Sequence, residues 1–123
     1  MPNGSFSSVR VIYPRFSQSE LISSLRGRIP ALAQVLPLKR VVFFGSWAKG
    51  RATAFSDVDL LVVYADPARE DAYKLVWHAM QTRGLEPHVY SESEAAALQA
   101  TLDRMTRTGI DLLSLDTVEG ASQ

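Results

Sequence analysis

The chain contains no cysteine. That excludes a disulfide framework and any thiolate-ligated metal site. It also lacks an excess of either charge, since 13 basic residues balance 13 acidic ones. Without a net basic field, direct nucleic-acid binding is not expected. No apolar run approaches the ~20 residues that a membrane span needs. None follows a basic start in the manner of a signal peptide, so a cytoplasmic protein is the expectation. Internal repeats and low-complexity tracts are absent too. What is present is ordinary globular composition, 46% hydrophobic and 21% charged over 123 residues. That suffices for one domain with a small core.

Residues 1–8 and 116–123 are small and polar, which predicts disordered tails on a single domain spanning 1–123. Val9 to Tyr13 suits a short extended segment closed by Pro14. Ser17-Gln18-Ser19-Glu20 reads as a capping box. Leu21, Ile22, Leu25, Ile29, Leu32 and Val35 follow at helical spacing, with Pro30 expected to kink or divide the helix and Pro37 to end it. Arg40 to Phe44 reads as a strand buried on both faces, Ser46 to Gly50 as a short helical turn, and Asp57 to Tyr64 as a second core strand. Asp66 and Pro67 fit the N-cap and first position of a helix from Ala68 to Thr82. Its apolar face would be Ala72, Leu75, Val76 and Ala79, and Gly84 would stop it. Glu86 to Tyr90 reads as a third strand. A second capping box, Ser91 to Glu94, opens a helix running to about Arg107 with Ala95, Leu98, Leu102 and Met105 inward. Gly109 ends it, and Ile110 to Leu115 is a strand or a last turn. The order α, β, β, α, β, α predicts an α+β domain, a small mixed sheet flanked by helices.

The chemistry concentrates in the middle of the chain. Gly45 lets a ligand approach the backbone closely, and Ser46 supplies a hydroxyl at the start of a helical turn. Lys49 and Arg51 are cations within reach of phosphate oxygens. Asp57 and Asp59 stand two apart, which puts both carboxylates on one face of a strand. Carboxylates so close repel unless a cation sits between them. Mg²⁺ suits such a pair, because it binds through one or two carboxylates and the oxygens of a substrate phosphate. Two such ions can activate an attacking oxygen and stabilise a leaving one. Asp59 also runs directly into Leu60-Leu61-Val62-Val63, where an unpaired acid is costly. Against this, a lone Asp-x-Asp or Gly-Ser is commonly a turn or a solvated strand end; it is their combination that points to a site. Trp47 is expected to pack beside the turn, Tyr73 and Trp77 to lie in a core or interface, and His78 on a solvated flank.

Gly45-Ser46, ten residues, then Asp57-Val58-Asp59 resembles the signature of the DNA polymerase β-like nucleotidyltransferase superfamily. Phe-Gly-Ser-Trp-Ala-Lys-Gly followed by Ser-Asp-Val-Asp-Leu-Leu-Val is most similar to its minimal nucleotidyltransferases (MNT). The resemblance covers residues 40–64 specifically. It implies that Gly45 and Ser46 hold the phosphates of ATP, beside the cations Lys49 and Arg51, and that Asp57 and Asp59 bind Mg²⁺. The family also has a third carboxylate on a neighbouring strand. Glu86 is the candidate here, with His88 on the same face as the alternative. Pro87 between them hints at an edge strand. Larger relatives carry an extra domain that grips the acceptor, and this chain has little beyond the catalytic core. The resemblance therefore implies the antitoxin of a two-protein pair that transfers AMP to its helical HEPN toxin. Two other readings stay open: a non-catalytic antitoxin that masks its partner, and a small-molecule nucleotidyltransferase acting as a homo-oligomer.

Overall fold

The computed structural model describes residues 17–50 and 56–113. The predicted extended segment, both tails and Arg51 lie outside them. Helix α1 spans Gln18–Val35, β1 Leu38–Phe44, β2 Val58–Tyr64 and α2 Ala72–Met80. Strand β3 follows over Leu85–Ser91, α3 over Glu92–Ala97, α4 over Gln99–Met105 and β4 over Ile110–Asp111. The sheet order is β3-β2-β1-β4. β1 runs antiparallel to both β2 and β4, whereas β2 and β3 are parallel, joined by the α2 crossover. This is the mixed sheet flanked by helices that the element order predicts. Among the described residues no helix is long and apolar enough to cross a membrane.

The sheet separates two clusters of apolar side chains. Val41, Phe43, Leu60, Val62 and Tyr64 point to the face packed against Leu21, Leu25 and Leu32 of α1 and Ala72, Val76 and Met80 of α2. Val42, Phe44, Leu61 and Val63 point the other way, toward Leu102 of α4 with Ala95 and Met105 beside it. Both faces of β1 and β2 are covered, which is why these strands read as unbroken apolar runs.

Both capping boxes form. The Ser17 hydroxyl accepts from the Glu20 N–H at 3.2 Å and Glu20 returns a bond to the Ser17 N–H at 2.7 Å; Ser91 and Glu94 repeat the pattern. Pro30 sits within α1 without dividing it. Val35 is exposed, and Leu36 takes its place in the core. The helix expected from Ala68 starts later, with Asp71 at its N-cap. Tertiary partners hold the preceding residues bent: the Tyr64 hydroxyl accepts from the Arg69 N–H at 2.8 Å, and the Arg69 guanidinium grips Asp71 and the Val35 carbonyl. Asp66 caps a different helix, its carboxylate accepting from the N–H and hydroxyl of Ser93 in α3. Gln81, in the left-handed conformation, ends α2 before Gly84 is reached. The helix expected from Ser91 to Arg107 breaks at Leu98, which leaves Leu98 39% exposed rather than inward. Tyr73 and Trp77 are exposed on α2, not in the core.

Gly109 lets β4 dock closely on β1. A Cβ there would meet Val42 Cγ1 at 2.6 Å and the Phe43 carbonyl oxygen at 3.0 Å. Neither group can move without disturbing the sheet. Gly109→Ala should therefore cost about 1–3 kcal/mol, the usual penalty of overpacking. A lower urea midpoint with an unchanged slope would show it.

Candidate active site

Strand register gathers the site. Phe44, the last residue of β1, pairs with Asp59 near the start of β2, and Asp59 pairs on its other side with Glu86 of β3. Paired residues share a sheet face, so Phe44, Asp59, Glu86 and, two residues on, His88 all project to one side. Helices α3 and α4 cover that face only further along, at Leu61 and Val63. The sheet end carrying Asp59 is left half-open, and Asp57, just before β2, is exposed.

Gly45 joins the two halves of the motif. Its φ of +86° lies in the region that favours glycine. A Cβ at this position would strike the Asp59 carboxylate, whose Cγ would be 3.1 Å away. The backbone of the turn thus rests directly against the carboxylate. The turn itself is closed by the Lys49 N–H donating to the Gly45 carbonyl and the Gly50 N–H donating to the Trp47 carbonyl, both at 3.1 Å. Ser46 and Lys49 are exposed on it.

Burial pushes the Asp59 carboxyl above the ordinary aspartate range; His88 opposes the shift, and the charges of Asp57 and Glu86 add to it. His88 Nε2 lies 3.5 Å from Asp59 Oδ1. It is buried without a well-aligned hydrogen bond, so the contact is ionic when the imidazole is protonated. Its ring packs against Phe44, with centroids 5.2 Å apart. Glu86 is exposed at the rim. Among the described residues no three His, Asp or Glu side chains close into a metal-ligating cluster of their own. The structure therefore brings Asp59 and His88 together and sets Asp57 and Glu86 around them. The carboxylate oxygens of Asp57, Asp59 and Glu86 are donors of the chemical type that suits Mg²⁺, and a substrate's phosphates would have to complete its shell.

Two neighbours of the turn carry weaker sequence signals. Trp47 packs beside it as expected, buried in the core, and its indole N–H donates to the Ser56 carbonyl at 3.4 Å, next to Asp57. The Gln18 side-chain amide donates to the carbonyls of Trp47 at 2.9 Å and Ala48 at 2.8 Å. In the sequence Gln18 is only the second residue of a capping box, and no local pattern announces that contact.

The chain belongs to the nucleotidyltransferase domain family, whose model matches residues 22–109. No curated protein matches at a significant level. Among solved structures, a candidate nucleotidyltransferase from Sulfolobus solfataricus is similar at 19% identity and a TM-score of 0.52, over 76% of this chain and 80% of that one. A toxin–antitoxin complex with AMP-PNP is similar at 20% identity and 0.48, over 71% of each chain. A complex of tri-AMPylated Shewanella oneidensis HEPN toxin with MNT antitoxin is similar at 22% and 0.41, over 77% and 67%. At such identities the first likeness establishes the nucleotidyltransferase fold.

Proposed function

We propose that this chain is a Mg²⁺- and ATP-dependent nucleotidyltransferase that moves AMP onto a hydroxyl of a partner protein, as the MNT antitoxin of a HEPN toxin. The observation that carries the reading is the packing of Gly45 against the Asp59 carboxylate. It sets the Gly45–Ser46 turn directly beside the Asp59 carboxylate, as a shared phosphate and metal site requires. Supporting it is the match of residues 22–109 to the nucleotidyltransferase domain family.

In this reading Ser46 and Lys49 bind the triphosphate at the turn, Arg51 adds a further cation, and Gly45 lets the turn lie against Asp59. Asp57 and Asp59 hold Mg²⁺, and Glu86 stands beside them as a further oxygen donor. Bound there, Mg²⁺ neutralises phosphate charge and favours the ionised acceptor. The acceptor oxygen attacks the α-phosphorus. The bond from that phosphorus to the oxygen bridging to the β-phosphate breaks, and pyrophosphate leaves. Glu86, exposed at the rim, takes the hydroxyl proton, while His88 Nε2, buried 3.5 Å from Asp59 Oδ1, holds that carboxylate.

Incubation with labelled ATP, Mg²⁺ and the product of the adjacent gene should add AMP to a tyrosine of that partner, read by mass spectrometry. Asp57→Asn should slow the addition at least ~100-fold, the scale of losing several kcal/mol of charge stabilisation. No addition, with Asp57→Asn neutralising the partner as well as wild type does, would sink the catalytic reading. One observation favours the masking alternative: the exposed Glu86 closes no three-ligand cluster among the described residues. An Asp57→Asn/Asp59→Asn variant that still neutralises the partner would identify masking as the mode of action.

A further inference from the structure

We infer that Gln18 is a positioning residue for nucleotide binding, a latch by which the first turn of α1 holds the Ser46 turn in its binding conformation. The inference rests on the proposed nucleotide site. The turn needs such support. It is a single turn closed by two backbone hydrogen bonds, and helical segments far longer than this are marginal alone. Its carbonyls emerge on the side opposite its leading N–H groups. Gln18 takes two successive carbonyls, those of Trp47 and Ala48, with one amide group that has two N–H donors. The turn is thereby held by its carbonyls, while Ser46 and Lys49 stay exposed.

The latch also reaches the carboxylates. Trp47, whose carbonyl Gln18 holds, is anchored in the core and donates its indole N–H to the Ser56 carbonyl, immediately before Asp57. Gln18, Trp47 and Ser56 thus form a chain of contacts fixing the distance between the turn and the first aspartate. Gln18 is itself carried on α1, whose Leu21 and Leu25 are buried in the core.

The test compares Gln18→Ala with Ser17→Ala. The second change loosens the same helix end by removing the cap but leaves both carbonyl contacts in place. In ligand-free protein, Gln18→Ala should speed amide hydrogen exchange at Lys49 and Gly50 about 10-fold, the scale of losing hydrogen bonds worth about 1 kcal/mol each. Ser17→Ala should change it less than about twofold. Calorimetric titration with Mg²⁺ and a non-hydrolysable ATP analogue should show about 10-fold weaker binding for Gln18→Ala alone, and assays should show KM raised more than kcat falls. Unchanged exchange at Lys49 and Gly50, or equal effects from the two variants, would overturn the latch. Faster exchange in a protein whose wild type binds no nucleotide would support the latch and count instead against the nucleotidyltransferase site.

Discussion

Asp59→Asn should abolish nucleotidyl transfer and at the same time stabilise the metal-free protein at neutral pH. The two effects have one cause. Asp59 is partly withdrawn from water beside Asp57 and Glu86, and burial followed by these charges holds its pKa above the ordinary value despite His88. A carboxyl with a raised folded-state pKa binds its proton more tightly in the native state than in the unfolded chain. Its ionised form therefore penalises folding at neutral pH. The penalty shrinks as pH falls through the raised pKa and is gone below the ordinary aspartate range. Asn has no charge to desolvate, so the variant's Tm should exceed wild type at pH 7, and the difference should close toward pH 3. Saturating Mg²⁺ should reverse the order, because a cation that binds only the native carboxylates stabilises the wild type by mass action. Thermal scans at both pH values, with and without Mg²⁺, would read all of this. A variant less stable than wild type at pH 7 without metal would show that the His88 contact outweighs desolvation. Activity should fall at least ~100-fold, as for a lost metal carboxylate.

Gly45→Ala is the most damaging single methyl group the site can receive. At φ +86° an alanine pays about 1–2 kcal/mol in backbone strain alone. Its Cβ would also strike the Asp59 carboxylate, so either the turn retreats or Asp59 rotates away. The expected result is a Tm lower by roughly 5–10 °C together with loss of nucleotide binding. Gly50→Ala separates the two contributions. It also has positive φ, at +74°, but among the described residues nothing lies within 4 Å of an added Cβ. It should pay the backbone cost and keep the site. Equal losses of nucleotide affinity in the two variants would mean that contact with Asp59 has no part in the effect.

Sequence made the site legible where chemistry and local pattern coincide. Gly45-Ser46 and Asp57-x-Asp59 are read from spacing, and the strands behind them are unbroken apolar runs because both faces are covered. Both capping boxes are local signals, and both form. The errors fall where distant partners override local preference. Asp66 has the form of an N-cap for the helix that follows it, yet Ser93 claims its carboxylate from another element. Arg69 spends its donors on Asp71 and Val35, which delays α2. Leu98 fits the inward helical spacing, but the break at that residue turns it outward. The third position of the site is hidden for the same reason. Whether Glu86 or His88 meets Asp59 depends on strand register and side-chain length. Register pairs Glu86 with Asp59, while the side chain that reaches the carboxylate is His88.

The strand directions also dictate the order in which the site can be assembled. β1 and β2 are antiparallel neighbours joined by the motif loop itself, so Gly45 can meet Asp59 early, at small loop-closure entropy. Glu86 and His88 arrive only when the chain has crossed over through α2 to set β3 parallel to β2, a slower, non-local step. Gln18 arrives only when α1 has packed on the far face. A half-folded chain can thus hold the Gly45–Asp59 contact while still lacking the β3 side chains and the Gln18 contact that complete the candidate site.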